Sequence, residues 1–187
     1  MKSISLIGYR CTGKTTVARL LAERLGLRAV DSDPLIERRC GKPIAAIFAE
    51  DGEATFRNLE ERMVAELLDG EPVVLSPGGG AILRESTRSR LRNASTVVWL
   101  TAEVEMIAAR MNADATTAAR RPSLTGRSPT EEIRTVLESR EPFYRETAHF
   151  TVATDGKTPG EIVEEILMRI MENTENARCA QNAERKP

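Results

Sequence analysis

The chain has few of the residues on which several protein classes depend. Its 187 residues include one histidine, His149, so chemistry that needs a pair of histidines is excluded. The cysteines Cys11, Cys40 and Cys179 form no C-x-x-C pair, which argues against a zinc site and a disulfide framework. We therefore interpret His149 as structural and expect a reducing, cytoplasmic location.

Long apolar runs and a strong net charge are also missing. No stretch approaches the roughly 20 apolar residues of a membrane-spanning helix. Met1 and Lys2 lead directly into an apolar strand pattern, so we expect no signal peptide. The formal net charge of −1 gives no field that would attract nucleic acid or an anionic membrane. The sequence thus predicts neither nucleic acid nor a membrane as a partner.

Strand and helix signals alternate along the chain, which predicts an α/β domain with a parallel sheet buried on both faces. The predicted strands are Ser3–Ile7, Arg28–Asp31, Val73–Ser76, 96–100 and Phe150–Ala153. The predicted helices are Lys14–Leu25, 34–40, 54–68, 85–91, 103–112, Pro129–Thr147 and 159–171. Segments 41–52 and 112–128 show no clear element. Long loops in a compact domain are usually functional or disordered, and in a nucleotide enzyme both segments are candidates for parts that close over a substrate.

Residues 8–15 read Gly-Tyr-Arg-Cys-Thr-Gly-Lys-Thr and match the phosphate-binding pattern G-x-x-x-x-G-K-[ST], the P-loop, between a predicted strand and a predicted helix. Gly8 and Gly13 allow backbone N–H groups to converge on a phosphate. In this pattern Lys14 contacts the β- and γ-phosphates, and the Thr15 hydroxyl can ligate Mg²⁺. The nucleotide-binding residues predicted here are Gly8, Arg10, Cys11, Thr12, Gly13, Lys14, Thr15 and Thr16.

Two carboxylates follow the second predicted strand, at the sheet edge that lines the ligand crevice in open α/β folds. Asp31 could hold Mg²⁺ directly or through water, and Asp33 could orient or deprotonate an acceptor hydroxyl. Asp33 also precedes Pro34 and suits a helix N-cap, a role compatible with a site role. The third strand ends in Ser76 and glycines at 78–80 rather than a Walker-B aspartate, which increases the weight on Asp31.

Residue chemistry alone does not decide the roles of three arginines. Arg140 continues the apolar stripe of its predicted helix, so it should face inward toward an anion, either a protein carboxylate or a substrate carboxylate. Arg57 has glutamates at helical spacing, and ion pairs with them account for it adequately. Arg121 lies in a glycine-flanked loop, where it either reaches a transferring phosphate or is simply solvated.

Taken together, these motifs resemble the shikimate kinase family in order and spacing over residues 1–171. The matching segments are residues 8–15, Asp31-Ser32-Asp33, Gly52-Glu53-Ala54-x-Phe56-Arg57-x-x-Glu60, Gly78-Gly79-Gly80-Ala81, Arg121-Pro122-x-Leu124 and Arg140-x-x-x-Tyr144. The resemblance implies ATP-dependent phosphorylation of the shikimate 3-hydroxyl, on the route to chorismate and aromatic amino acids. It also implies a nucleoside monophosphate kinase-like fold, a P-loop three-layer sandwich with five parallel strands in the order 2-3-1-4-5.

The resemblance further assigns regions and roles. It implies one domain over 1–172, with a substrate-binding part at 33–62 and a lid at 112–127; we expect 173–187 to be a disordered tail. The implied substrate-binding residues are Asp33, Arg57, Gly78, Gly79, Gly80 and Arg140, with both arginines on the shikimate carboxylate. The implied catalytic residues are Lys14, Asp33 and Arg121, the metal-site residues Thr15 and Asp31, and the adenine-side residues Arg110, Lys157 and Pro159. Such kinases are usually monomers, which is the expectation for this chain.

The chain departs from the family pattern at two places. Cys11 stands where glycine or alanine is common, and the loop from Arg110 to Arg121 is longer than usual. Among alternatives, a gluconate kinase fits less well because paired arginines suit an acid rather than a neutral sugar. A GTPase-type switch would carry Asn-Lys-x-Asp, which is absent, and a pseudokinase would be expected to lose Lys14 or Asp33.

Overall fold

The centre of the molecule is a five-stranded sheet with the strand order β2-β3-β1-β4-β5. A computed structural model describes residues 2–113 and 128–184. The strands are β1 (Ser3–Ile7), β2 (Arg28–Asp31), β3 (Val73–Ser76), β4 (Ser95–Thr101) and β5 (Phe150–Ala153). Every neighbouring pair is parallel. The predicted fold class and strand order are therefore confirmed.

Helices cover both faces of this sheet. The described α-helices are α1 (Lys14–Leu25), α2 (Ser32–Cys40), α3 (Ile44–Asp69), α4 (Glu85–Ala94), α5 (Val104–Ala113), α6 (Pro129–Thr147) and α7 (Pro159–Glu184). Leu6 of β1 packs with Leu21 of α1 and Ile166 of α7 on one face. The next residue, Ile7, faces the other side, where it packs with Val64 of α3. This alternation produces the three layers. None of the described helices has the length and apolar character needed to span a membrane.

The predicted loop at 41–52 is wrong, because α3 begins at Ile44 and runs through this segment. Ile44 and Ile47 lie one helical turn apart and bury against Ile36 of α2. Gly52, with φ 83° and ψ 164°, interrupts the helix with a kink before it resumes. The glycines at both ends of the segment concealed this short helix in the sequence.

The start of α2 also differs from expectation. Asp31 is the N-cap, and its Oδ1 accepts a hydrogen bond of 3.2 Å from the Asp33 N–H. Asp33 therefore lies inside the first turn rather than capping it. Because the cap is two residues earlier than expected, the Asp33 side chain does not cap the helix and lies near Gly78 at the edge of the sheet.

The last helix, α7, continues to Glu184 instead of ending at residue 171, so residues 173–184 are helical where we expected disorder. Among the residues of α7 whose burial the structure describes, the buried apolar ones are Ile162, Val163 and Ile166, in the first half of the helix. Leu167 and Ile170 pack against the same core as partly buried residues. Residues 173–187 show no apolar period in the sequence, so periodicity could not predict a helical backbone there. The predicted lid, apart from residues 112 and 113 at the end of α5, lies outside the described residues.

Candidate active site

The P-loop connects β1 to α1 and is shaped by its glycines. Gly8 has φ 147°, and a Cβ built there would lie 2.4 Å from the Leu100 carbonyl oxygen, so no larger residue fits. Gly13, with φ 88°, precedes the first turn of α1. Cys11 has φ 61°, a left-handed conformation that residues with a side chain rarely adopt. The departure at Cys11 thus falls on a position where glycine would be unstrained.

Side chains of the loop hold its own backbone. Lys14 Nζ donates hydrogen bonds to the Gly8 and Tyr9 carbonyls, at 2.9 and 2.8 Å. The Thr12 hydroxyl, which is buried, donates to the same Tyr9 carbonyl at 2.8 Å. The lysine ammonium is therefore positioned against the loop that the sequence assigns to phosphate. Thr16 lies exposed in the first turn of α1.

Thr15 and Asp31 meet at the carboxyl edge of the sheet. The Thr15 hydroxyl donates to Asp31 Oδ2 at 2.8 Å. In the described parts of the chain, no three His, Cys, Asp or Glu side chains gather in a way that could hold a metal ion. Mg²⁺ is usually bound by one or two protein oxygens together with substrate phosphates and waters. The hydroxyl and carboxylate oxygens of this pair fit that donor set.

The glycines at 78–80, the triple-glycine segment, follow β3 and touch the predicted acceptor-side residues. A Cβ built at Gly78 would lie 2.6 Å from Glu60 Oε1 and 2.8 Å from Asp33 Oδ1. A Cβ at Gly79 would lie 3.2 Å from the Gly8 carbonyl oxygen. The absence of side chains here brings the P-loop, Asp33 and Glu60 together around one backbone segment.

Arg57 packs against the last glycine of this segment. A Cβ built at Gly80 would lie 2.5 and 2.6 Å from the two terminal nitrogens of Arg57. The guanidinium also donates to Glu60 at 2.6 Å and to Glu53 at 3.1 and 3.2 Å. Glu61 instead pairs with Arg84, at 3.4 Å. The ion pairs expected from helical spacing are thus present for two of the glutamates, in the same place as the contact with Gly80.

Arg140 and Tyr144 of α6 both reach the middle glycine. Arg140 Nη1 donates to the Gly79 carbonyl at 3.3 Å, and the Tyr144 hydroxyl donates to the same oxygen at 2.7 Å. Burial raises the pKa of Tyr144 to about 12, which keeps the hydroxyl protonated as a donor. Among the described residues no carboxylate forms an ion pair with Arg140. The sequence left two anions open as the partner of Arg140, and the described part of the chain provides no protein carboxylate in that role.

The predicted adenine-side residues lie near the ends of β4 and β5. Arg110 donates to the Cys11 carbonyl at 3.2 Å and to the Thr154 hydroxyl and carbonyl at 3.1 and 3.3 Å, so it ties the P-loop to the end of β5. Lys157 pairs with Glu165 at 2.6 Å, and Pro159 begins α7. The predicted catalytic residue Arg121 lies outside the described residues.

The sequence prediction missed several buried polar residues that support the site. Ser32 accepts a hydrogen bond of 3.3 Å from the Gly78 N–H, and Glu60 holds Arg57. Tyr144 also stacks on Trp99, with ring centroids 5.5 Å apart. Glu60 and Tyr144 lie in the same sequence motifs as Arg57 and Arg140, and this placement was the signal that could have identified them. Ser32 lies between Asp31 and Asp33 and gave none beyond that position.

Comparison with known proteins agrees with this geometry. The shikimate kinase family model matches residues 10–171. The chain is 45% identical over 162 residues to a shikimate kinase of Rhodopirellula baltica, covering 87% of each chain. It is 43% identical over 171 residues to that of Paracidovorax citrulli, covering 90% of this chain and 91% of the relative. A solved shikimate kinase from Acinetobacter baumannii, in complex with shikimate, superposes with a TM-score of 0.85 at 38% identity, over 92% of this chain and 94% of the other. The chain belongs to the shikimate kinase family.

Proposed function

We propose that this protein transfers the γ-phosphate of ATP to the 3-hydroxyl of shikimate, giving shikimate 3-phosphate and ADP. Kinases of this family use ATP, and a solved relative binds shikimate. The observation that carries the proposal is the triple-glycine segment, against which the P-loop, Asp33, Arg57 and Arg140 all pack. Donor and acceptor groups thereby converge at the carboxyl edge of the sheet.

On the acceptor side, Arg57 and Arg140 bind the shikimate carboxylate. They contact Gly80 and Gly79, two successive residues, so both guanidinium groups lie on one short segment. A planar carboxylate held by guanidinium groups is fixed in orientation as well as position, which directs one ring hydroxyl toward the phosphate. The part of the chain around 33–62, which carries Asp33 and Arg57, is the substrate-binding region.

Asp33 orients the reacting hydroxyl. Its Oδ1 lies at the Gly78 end of the triple-glycine segment, because a Cβ there would be only 2.8 Å away. Phosphoryl transfer passes through a loose transition state that needs little assistance from a base. Asp33 therefore acts chiefly by accepting a hydrogen bond from the hydroxyl and receives its proton as the new bond forms.

On the donor side, the P-loop amides and Lys14 stabilise negative charge on the phosphoryl oxygens. Thr15 and Asp31 would hold Mg²⁺, which when bound would neutralise charge on the nucleotide phosphates. Arg121, in the proposed lid at 112–127, adds a further positive charge at the transferring phosphate. Arg110, Lys157 and Pro159 form the adenine side, where the Arg110 contacts with Cys11 and Thr154 support a location next to the P-loop.

We also propose that the protein acts as a monomer in the cytoplasm. Cys11 and Cys40 are free thiols. Thiols persist in a reducing compartment, where disulfides are rare. The proposed site residues that the structure describes come from one chain, so the site needs no second copy to supply them.

A coupled assay for ADP release tests the function. Purified protein with Mg²⁺ and ATP should phosphorylate shikimate, and the product should be shikimate 3-phosphate by NMR. Gluconate and nucleoside monophosphates serve as acceptor controls and should give no product above the ATPase background. Folded protein that binds ADP but does not phosphorylate shikimate would refute the proposed function.

A further inference from the structure

Glu132 is a buried carboxylate that the proposed reaction does not use. It lies in the first turn of α6 and is only 5% exposed. The preceding residue, Glu131, is exposed and completes the capping box with Ser128. Burying an ionised carboxylate carries a large desolvation cost unless a charge or hydrogen bonds compensate it. Helix capping therefore explains Glu131 but not Glu132.

The P-loop supplies one compensating charge. Arg10 Nη2 lies 3.8 Å from Glu132 Oε1, and the Arg10 side chain is only 19% exposed. The distance is that of an ion pair rather than a hydrogen bond, so the contact acts mainly through charge. The guanidinium also lies 5.5 Å from the centroid of the Tyr9 ring, which limits its freedom further.

The neighbouring P-loop residue is anchored to the same helix by apolar packing. Tyr9 is 4% exposed and packs with Ile107 of α5 and Ile133 of α6. Its carbonyl accepts the hydrogen bonds from Lys14 and Thr12 described above. Two successive loop residues, Tyr9 and Arg10, thus contact two successive residues of α6. Helix α6 therefore fixes the position of the Tyr9 carbonyl, which accepts a hydrogen bond from Lys14.

We propose that Glu132 is a positioning residue for nucleotide binding, which acts through Arg10. The inference rests on the proposed function, because it assigns the P-loop to ATP. With the Glu132 charge present, Arg10 stays on α6 and the Tyr9–Arg10 backbone keeps the conformation that orients Lys14. Without that charge, the Arg10 side chain reorients and the loop populates additional conformations. Only a fraction of the molecules is then ready to bind phosphate, and the apparent affinity falls to that fraction of its original value.

Glu132→Gln tests this directly, because it removes the charge and keeps the shape. We expect the Kd for ADP and the KM for ATP to rise about tenfold, which corresponds to a binding-competent fraction near one tenth. The KM for shikimate should change less than about twofold, since Gly79 packs near the backbone nitrogen of Arg10 and not against its guanidinium. Glu131→Gln is the matched control: glutamine can keep the capping-box hydrogen bond, so this change removes a neighbouring charge on the same helix turn and should leave both KM values unchanged.

A double-mutant cycle shows whether the effect passes through Arg10. Arg10→Met and Glu132→Gln together should raise the ADP Kd no more than the larger single change. An unchanged ADP Kd in Glu132→Gln, additive effects in the cycle, or an equal rise of both KM values that follows the loss of Tm would each overturn the proposal. If Glu132→Gln does not fold, Arg10→Met alone decides, and an unchanged ADP Kd there overturns it. Wild-type protein without transfer to shikimate would refute the proposed function instead, while the ADP titrations would still test Glu132.

Discussion

Gly80 is the residue against which Arg57, a proposed carboxylate-binding residue, packs. Its φ of −102° is available to any residue, so alanine would cause no backbone strain. A methyl group there would nevertheless lie 2.5 Å from the Arg57 guanidinium, and the flexible end of Arg57 would have to move. We expect Gly80→Ala to raise the KM for shikimate at least about tenfold, because an ångström of misplacement disrupts a positioned carboxylate. The KM for ATP should not change.

Gly70→Ala is the control for this substitution. Gly70 also has a negative φ of −88°, and a Cβ there would meet only ordinary contacts of 3.6 and 3.8 Å. Steady-state kinetics with both substrates varied should separate the two variants. A Gly80→Ala protein with normal shikimate KM would mean that Arg57 acts only as an ion-pair partner of Glu53 and Glu60.

Residue chemistry alone could not resolve the two arginines. Arg57 does form the helix ion pairs that its spacing predicted, and nothing in that spacing reveals that Gly80 lies against its other side. For Arg140 the apolar stripe correctly indicated an inward direction, but its contact is the carbonyl of Gly79, 61 residues away in the chain. Contacts of that kind depend on how elements pack, so the family resemblance was needed to relate the two residues.

At the scale of elements, His149 extends the pairing of β4 with β5. The backbone N–H of Val97 donates a hydrogen bond to the imidazole Nδ1 of His149 at 3.0 Å. The backbone N–H of His149 donates in turn to the Val97 carbonyl at 2.8 Å. Burial, followed by the charges of Arg92 and Lys2, lowers the pKa of His149 below the ordinary 6.5. A protonated imidazole could not accept the Val97 hydrogen bond, so the neutral form belongs to the folded state.

This contact predicts a step in stability with pH. The unfolded chain takes up the proton near pH 6.5 and the folded chain only at lower pH, so the free energy of unfolding decreases as pH falls below about 6.5. The contribution is complete above that pH. Glu161, Glu165 and Arg169 line the same surface groove as the imidazole. Hydrogen bonds from Thr158 lower the pKa of Glu161, away from this window.

His149→Asn should remove the step, because the asparagine oxygen can accept the Val97 hydrogen bond without titrating. Urea unfolding of both proteins between roughly pH 5 and 7.5 measures it. No other histidine is present, so no second imidazole can substitute. Parallel stability curves for wild type and variant would contradict the assignment.

Helices with clear start or stop residues in the sequence were predicted most accurately. The bounds of α1 and α6 match the prediction, because Gly26 ends the first and Ser128 with Pro129 begins the second. The helix at 44–51 was missed because glycine at both ends looked like loop chemistry. The end of α7 was missed because the sequence of its last turns is polar and shows no apolar period. Periodicity reports burial, and helical backbone without burial leaves no periodic signal.

At the scale of the whole molecule, alternation of strands and helices predicts a parallel sheet but not the order of its strands. The order 2-3-1-4-5 came from the family resemblance and is confirmed. It places β1 between β3 and β4, so the P-loop after β1 lies beside the triple-glycine segment after β3. The strand order therefore brings the proposed donor and acceptor sides together, and spacing along the sequence does not show this.

This topology predicts that the two substrates stabilise the fold through separate groups. A ligand at one hundred times its Kd adds about 2.7 kcal/mol, which for a domain of this size raises Tm by roughly 5–10 °C. Lys14→Met should lose the shift with Mg-ADP and keep the shift with shikimate, while Arg140→Ala should do the reverse. Thermal unfolding of each variant with and without each ligand measures this, and unliganded Tm values near wild type confirm intact folds. A variant that folds but loses both shifts would place its residue in the shared framework rather than in one half of the site.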